Sequence, residues 1–171
     1  VTLDPNRFDD LLRHCSQSAV HLEMRDGYMR SDPAFVDWAA GRHIDPDVRF
    51  PEWPGLLAEA ISRGVVFRRA RIVSEPISDY VRFEHEITSG LNIAAGEDVR
   101  WLSRRRATDL ALPGNDFWLF DDRLLLVNHF DGSGEPTAPE LTDDKAVVQL
   151  CSTAFEAVWG RAVPHEEYRP V

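Results

Sequence analysis

The residue best placed to do chemistry is a carboxylate inside an apolar helix face. From Ile77 to Thr88 the apolar residues Ile77, Tyr80, Val81, Phe83 and Ile87 recur at helical spacing. Glu84 falls within or beside their stripe, three to four positions from Tyr80, Val81 and Ile87. A carboxylate partly buried there needs a partner. The preceding run, Val65–Val73, is rich in β-branched residues and reads as a core strand. Its period of two puts Arg69 and Arg71 on one face and Arg68 on the other. Arg100 and Arg104 sit on or just after the next strand, Val99–Ser103, and share a face if that strand is regular. Two readings stand. An arginine–Glu84 pair pins the helix to the sheet, which is the weightier reading. Alternatively, the arginines line a pocket for a small anion, because the guanidinium fork matches carboxylate or phosphate.

A second cluster lies on a hairpin. Asp116-Phe117-Trp118-Leu119-Phe120-Asp121 faces Val127-Asn128-His129-Phe130-Asp131 across a tight turn at Asp121-Asp122-Arg123. Alternation places Asp116, Trp118 and Phe120 on one side and Phe117, Leu119 and Asp121 on the other. Trp118 and His129 could line a pocket, and His129 with Asp131 or Asp116 could form an acid–base pair. Core packing with aspartates in turns is the weightier alternative. The candidate ligand-binding set is therefore Arg69, Arg71, Tyr80, Glu84, Arg100, Asp116, Trp118 and His129.

Other chemistries find no motif. His85-Glu86 and His165-Glu166 lack the second histidine of HExxH, and the histidines are scattered singly, so no metal site is expected. Lys145 is the only lysine; Ala146 follows it, which excludes the phosphate-loop GK[ST] pattern, and Thr142 stands where SxxK needs serine. Gly132-Ser133-Gly134 is preceded by Asp131, so GxSxG fails, and GxGxxG is absent. No catalytic residue and no cofactor is assigned. The net charge of −10 argues against direct nucleic-acid binding and favours basic partners.

These residues need a frame, and the chain of 171 residues supplies enough for one core. Helices are expected over Phe8–Cys15, Pro33–Ala40, Trp53–Arg63, Ile77–Thr88 and Ala146–Trp159. Strands are expected over Ser18–Met24, Val65–Val73, Val99–Ser103 and the hairpin arms Phe117–Phe120 and Leu124–Phe130. Arg42–Pro51 and Gly132–Asp144 read as loops. The last helix carries the stripe Val147, Leu150, Cys151, Ala154, Phe155 and Val158. The fold class is α/β: one domain over 1–171, a mixed sheet of about five strands, flanking helices and a C-terminal helix. Residues 1–50 could form a helical lobe packed on it. No run reaches the roughly 20 apolar residues of a membrane span. Val1–Asp10 shows no secretory signal. Cys15 and Cys151 are far apart and match no CxxC pattern, which fits a reducing cytoplasm.

Several segments together resemble a known family. They are Phe8-Asp9-Asp10-Leu11-Leu12, Ser18-Ala19-Val20-His21-Leu22-Glu23, Asp26-Gly27-Tyr28, Arg71-Ile72-Val73-Ser74-Glu75-Pro76, Asp79-Tyr80-Val81-Arg82-Phe83-Glu84, Ala95-Gly96-Glu97, Asp116–Asp121 and His129-Phe130. The chain resembles a domain-of-unknown-function family of short actinobacterial proteins often encoded beside helix-turn-helix regulators. The resemblance implies a cytoplasmic accessory or regulatory role. The second half is also similar to ligand-sensing portions of such regulators, which look like degenerate phospholipase-D-type folds. That superfamily's HxKxxxxD signature is missing, because Lys145 follows Asp143 rather than a histidine. The expected function is a non-catalytic module binding a partner protein, such as a DNA-binding regulator, or a small anionic ligand. The alternatives are a small enzyme with a His/Asp/Glu acid–base site near Glu84, His129 and Asp116, and a weak nucleic-acid binder.

Overall fold

The computed structural model describes residue 4 and residues 7–171; residues 1–3, 5 and 6, part of the segment on which the expectation of no secretory signal rests, lie outside the described residues. The chain begins with α1 (Phe8–His14) and β1 (Ser18–Glu23). Three helices follow: α2 (Pro33–Ala39), α3 (Pro46–Arg49) and α4 (Glu52–Ser62). Then come β2 (Val66–Val73), α5 (Asp79–Thr88), a single π turn (Ser89–Ile93) and β3 (Glu97–Ser103). The hairpin β4 (Asp116–Phe120) and β5 (Leu124–Asn128) leads to β6 (Glu140–Thr142), α6 (Lys145–Arg161) and β7 (Val163–Pro164).

Local chemistry sets these boundaries. Asp32, Ser78 and Asp144 each accept a backbone N–H one or two residues into α2, α5 and α6, which satisfies donors the helices leave open. Pro33 adds a fixed φ at the start of α2. The β4–β5 turn needs two residues in the left-handed region, and Asp121 and Asp122 both take φ 52°.

The strands form one sheet in the order β6-β5-β4-β1-β2-β3-β7. The pairs β1–β2 and β2–β3 are parallel and the rest antiparallel. Parallel neighbours need crossovers, so α2–α4 lie between β1 and β2, and α5 lies between β2 and β3. One face carries Val20, Leu22, Ala70, Ile72, Leu102, Phe117 and Leu119 and packs against Val148, Cys151, Phe155 and Val158 of α6. The other face has two apolar patches. Ala19, Phe67, Trp118 and Phe120 lie under α1 and α4; Val99 and Trp101 pack with Val81 of α5 and Tyr168. Fully burying each large apolar side chain contributes about 1.5–3 kcal/mol, so these patches hold the layers together.

The architecture is a single α/β domain with a mixed sheet, a C-terminal helix and more strands than expected. The two additional strands are short: β6 lies in the stretch read as a surface loop, and β7 follows α6 directly. Of the first fifty residues, β1 lies inside the sheet between β4 and β2. The loop expected over Arg42–Pro51 contains α3, whose N-terminus Asp45 caps through the Asp47 N–H. The stripe expected on α6 is rotated: Val147 and Leu150 are 40% and 46% exposed, and Val148 is buried in their place. Apolar residues surround much of that helix, and the sheet covers only the arc through Val148, Cys151, Phe155 and Val158. No helix among the described residues is long and apolar enough to cross a membrane.

One carboxylate ties α1 and β1 to the hairpin. Ser16, Gln17 and Ser18 donate their backbone N–H groups to Asp121 at 3.0, 2.7 and 3.1 Å. Burial opposes its charge, and the N–H groups outweigh that, holding the carboxyl below its ordinary value. Asp121→Ala is expected to cost about 1–3 kcal/mol in chemical denaturation, and Asp121→Asn less, because one acceptor oxygen remains. A carboxyl with a lowered folded pKa stabilises only while ionised. The deficit of Asp121→Ala should therefore be full above about pH 4 and shrink as the pH falls further.

Candidate functional site

Between the two apolar patches runs a polar seam. The parallel register sets His21 beside Arg69 and Glu23 beside Arg71. The period of two aims all four side chains at the face that α4 and α5 cover. All four are buried, with 6–9% exposure. Glu23 accepts a hydrogen bond from Arg69 Nη1 at 2.6 Å and another from Arg71 Nε. Arg69 Nε donates to Glu97, the first residue of β3, at 2.7 Å. Glu97 also accepts from Asn92 Nδ2 at 2.8 Å and from Trp53 Nε1 at 3.1 Å. Arg71 Nη1 donates to Thr88 Oγ1 at 2.7 Å, and that hydroxyl donates to the Glu84 carbonyl at 2.6 Å. The guanidinium carbons of Arg69 and Arg71 lie 5.2 Å and 4.9 Å from the ring centroids of Trp118 and Trp101.

This arrangement answers the cost of burying charge. An unpaired buried ion costs several kcal/mol, and here two guanidinium groups meet two carboxylates with further donors on each. Burial opposes ionisation of Glu23, yet Arg71 and Arg69 overcome it and hold its carboxyl well below the usual range. Gly96 sets the position of Glu97. Its φ is +102°, and a Cβ there would lie 2.5 Å from Ile61 Cδ1 on α4, so no other residue fits without displacement.

Glu84 is the third carboxyl of the seam and differs from the other two. It is buried, and its nearest cation is Arg71 Nη2 at 3.8 Å, beyond hydrogen-bond range. Among the described residues its side chain has no hydrogen-bond partner within 3.5 Å. Burial, with Glu23 adding to it, pushes the carboxyl up to about 8 against the pull of Arg71. Glu84 is therefore the carboxyl of the seam that most readily keeps its proton as the pH rises toward neutral. Above it opens a cavity of about 380 Å³. Glu23, Arg69 and Arg71 line one side and Tyr80, Phe83 and Ile87 another, with Phe50, Trp53, Leu91 and Asn92 among the other walls. The volume is within the range of small-molecule sites.

The structure brings together four of the eight expected residues around this cavity: Arg69, Arg71, Tyr80 and Glu84. Trp118 stands behind it, under Arg69 and stacked on His21 at 4.2 Å. Asp116 is buried nearby. It accepts the Tyr28 hydroxyl and, at 2.9 Å, the Met24 N–H, and burial pushes it up to about 6. Arg100 is elsewhere. Its register partner is Ala70, so it faces α6 and lies over Trp159 at 4.2 Å. Arg104, expected to share its face, hydrogen-bonds Asp26, Ser74 and the Met24 carbonyl beyond the strand end. His129 also lies apart. The β5 ladder ends at Asn128, and the imidazole approaches Glu140 at 3.3 Å rather than Asp116 or Asp131. Asp131 instead caps its own turn through the Ser133 and Glu135 N–H groups.

Sequence reasoning missed Glu23, Glu97, Asn92 and Trp53. For Glu23 a signal existed: His21 and Glu23 alternate with the apolar Val20 and Leu22 along β1, so one face of a central strand is polar. Asn92 follows a helix end and carried no local sign. Among the described residues no group of three or more His, Cys, Asp or Glu is arranged to hold a metal.

Comparisons with known proteins bear on fold and family. No curated protein matches the chain. Solved structures of similar shape include TrmBL2, an archaeal chromatin protein, at 11% identity and TM-score 0.47, covering 92% of this chain and 48% of that one. This chain thus spans about half the length of that protein. The phospholipase D family member Nuc from Salmonella typhimurium is similar at 12% identity and TM-score 0.47, with 94% and 88% covered. NucT from Helicobacter pylori is similar at 11% identity and TM-score 0.49, with 93% and 89% covered. A family described as "Domain of unknown function (DUF6879)" matches residues 6–170. With nearly its whole length matched, this chain belongs to the domain-of-unknown-function family DUF6879.

Proposed function

We propose that this chain is a non-catalytic, cytoplasmic regulatory or accessory module, one that takes a small ligand into the seam cavity and relays its presence to a partner protein. The observation that carries this reading is Glu84, buried at the cavity without a hydrogen bond. Its carboxyl opens on the cavity and takes no hydrogen bond from the protein, so a ligand carrying a donor can complete it in place of water. The partner we propose is a basic helix-turn-helix regulator encoded nearby in an actinobacterium, which the net charge of −10 would attract.

The second reading, a small acid–base enzyme, draws on the proton that Glu84 holds near neutrality. It lacks a companion. His21 is the nearby imidazole, burial keeps it neutral, and its Nδ1 approaches Glu23 at 3.5 Å rather than Glu84. Direct nucleic-acid binding is supported still less, because the net charge is −10 and several surface arginines are paired with carboxylates: Arg42 and Arg49 with Asp37, Arg68 with Glu156, and Arg161 with Asp109.

Two measurements test these statements. In a thermal-shift screen of the full chain against cationic, neutral and anionic aromatic fragments, at least one class should raise Tm. Leu91→Trp, which fills the cavity from its wall, should abolish that rise while leaving the unliganded melt cooperative. A Leu91→Trp protein that responds like the native chain would rule this cavity out. The second measurement concerns the proton. The folded pKa of Glu84 lies above its unfolded value, so its contribution is full below about pH 4.5 and declines as the pH rises to about 8. Glu84→Gln removes that decline. Its stability relative to the native chain should therefore grow between about pH 5 and 8 and level off beyond. A pH-independent difference would show that Glu84 is ionised throughout.

A further inference from the structure

The cavity's charge and its open hydrogen-bonding groups narrow the ligand class, and this step rests on the small-ligand reading above. The guanidinium groups are already engaged. Arg69 is held by Glu23 and Glu97, and Arg71 by Glu23 and Thr88. An anion entering here would have to compete with carboxylates buried beside them. What stands open is of the opposite kind. Glu84 has no hydrogen-bond partner, and neither has Asn92 Oδ1, on a side chain 3% exposed. The orientation of that amide is fixed, because the Glu97 carboxylate requires its N–H. Both residues line the cavity, but Asn92 Oδ1 has almost no accessible surface and lies behind the wall, so Glu84 is the group that offers acceptors to a ligand once it ionises. Arg71 Nη2 is the donor left nearest, and it faces Glu84 at 3.8 Å.

The balance of charge points the same way. The carboxyls of Glu23 and Asp32 line the cavity and Glu97 lies behind Arg69, three carboxyls against the two guanidinium groups, and Glu84 adds a further negative charge only as it ionises. Phe50, Trp53, Tyr80 and Phe83 add aromatic surface, which attracts a cation through the ring quadrupole.

We propose that the cavity binds a small organic cation, an ammonium or guanidinium group on a flat apolar body, with its N–H groups donating to Glu84 and its body lying among the aromatic walls. Glu84 faces Glu23 from β1, Arg69 and Arg71 from β2 and Asp116 from β4, and among these it is poised to ionise when a positive charge arrives. Binding then converts the Glu84 carboxylic acid to carboxylate and releases its proton to the buffer. The ligand keeps all its own protons, so charge and atoms balance.

The test is isothermal titration of the full chain at pH 7 with three probes of one shape: phenethylamine, 2-phenylethanol and 3-phenylpropionate. Phenethylamine should bind most tightly. Its apparent enthalpy should differ between phosphate and Tris buffers, as proton release requires. Glu84→Gln, an isosteric change whose folding the thermal melt reports, should weaken the amine about tenfold or more and leave the alcohol within about twofold. Tighter binding of 3-phenylpropionate than of the amine would overturn the cation assignment and leave the cavity reading standing. Equal amine affinity in native and Glu84→Gln protein would do the same. Silence of all three probes at millimolar concentration would overturn both.

Discussion

The site depends on one carboxylate shared by two arginines. Glu23 sits on the central strand and meets Arg69 and Arg71 of its neighbour in the same sheet. In bulk water such contacts are worth little, but inside a protein they decide whether the strands can lie side by side. Two guanidinium groups on one face of β2 would repel each other and resist burial. Glu23 makes that face permissible, and Glu97 completes the neutralisation of Arg69 from β3. The three parallel strands are thus cross-linked by charge where the sheet lacks apolar packing.

The two faces of the sheet divide the labour. Against α6 the interior is oily apart from the rim, and its role is to hold the layers. Against α4 and α5 the interior is interrupted, and the interruption is where chemistry gathers. Tryptophans flank the seam, with Trp53 donating to Glu97 and Trp101 and Trp118 under the arginines. Their broad faces fill space beside polar groups without competing for their hydrogen bonds. The π turn after α5 contributes Asn92 as a link between Glu97 and the cavity. Such irregular turns commonly accompany functional positions, since the helix ladder is loosened there.

Legibility in the sequence followed the range of the interaction. Alternation within β2 separates Arg69 and Arg71 from Arg68, and helical spacing within α5 marks Glu84; both are local patterns. The strand register is not local. About forty residues separate β1 from β2, and nothing along them states that Glu23 will lie beside Arg71. Arg100 shows the same limit. Its face is fixed by pairing with Ala70, which no reading of β3 alone can supply. His129 failed for another reason: Phe130 prolongs the strand-like pattern past Asn128, but the ladder ends there and the chain turns toward Pro136. On α6, apolar residues spread too widely round the helix for their pattern to select the buried arc. The fold class needed only element types and their order, and those were readable.

The two ends of the sheet carry a consequence for how copies of this chain can meet. One border strand is three residues long and the other two, and the latter ends in Pro164, which has no N–H to offer. Main-chain pairing between molecules needs a longer row of free donors and acceptors, and truncated borders of this kind discourage aggregation through the backbone. Association of this chain with itself or another must therefore be written in side chains, where a single substitution can change the choice of companion.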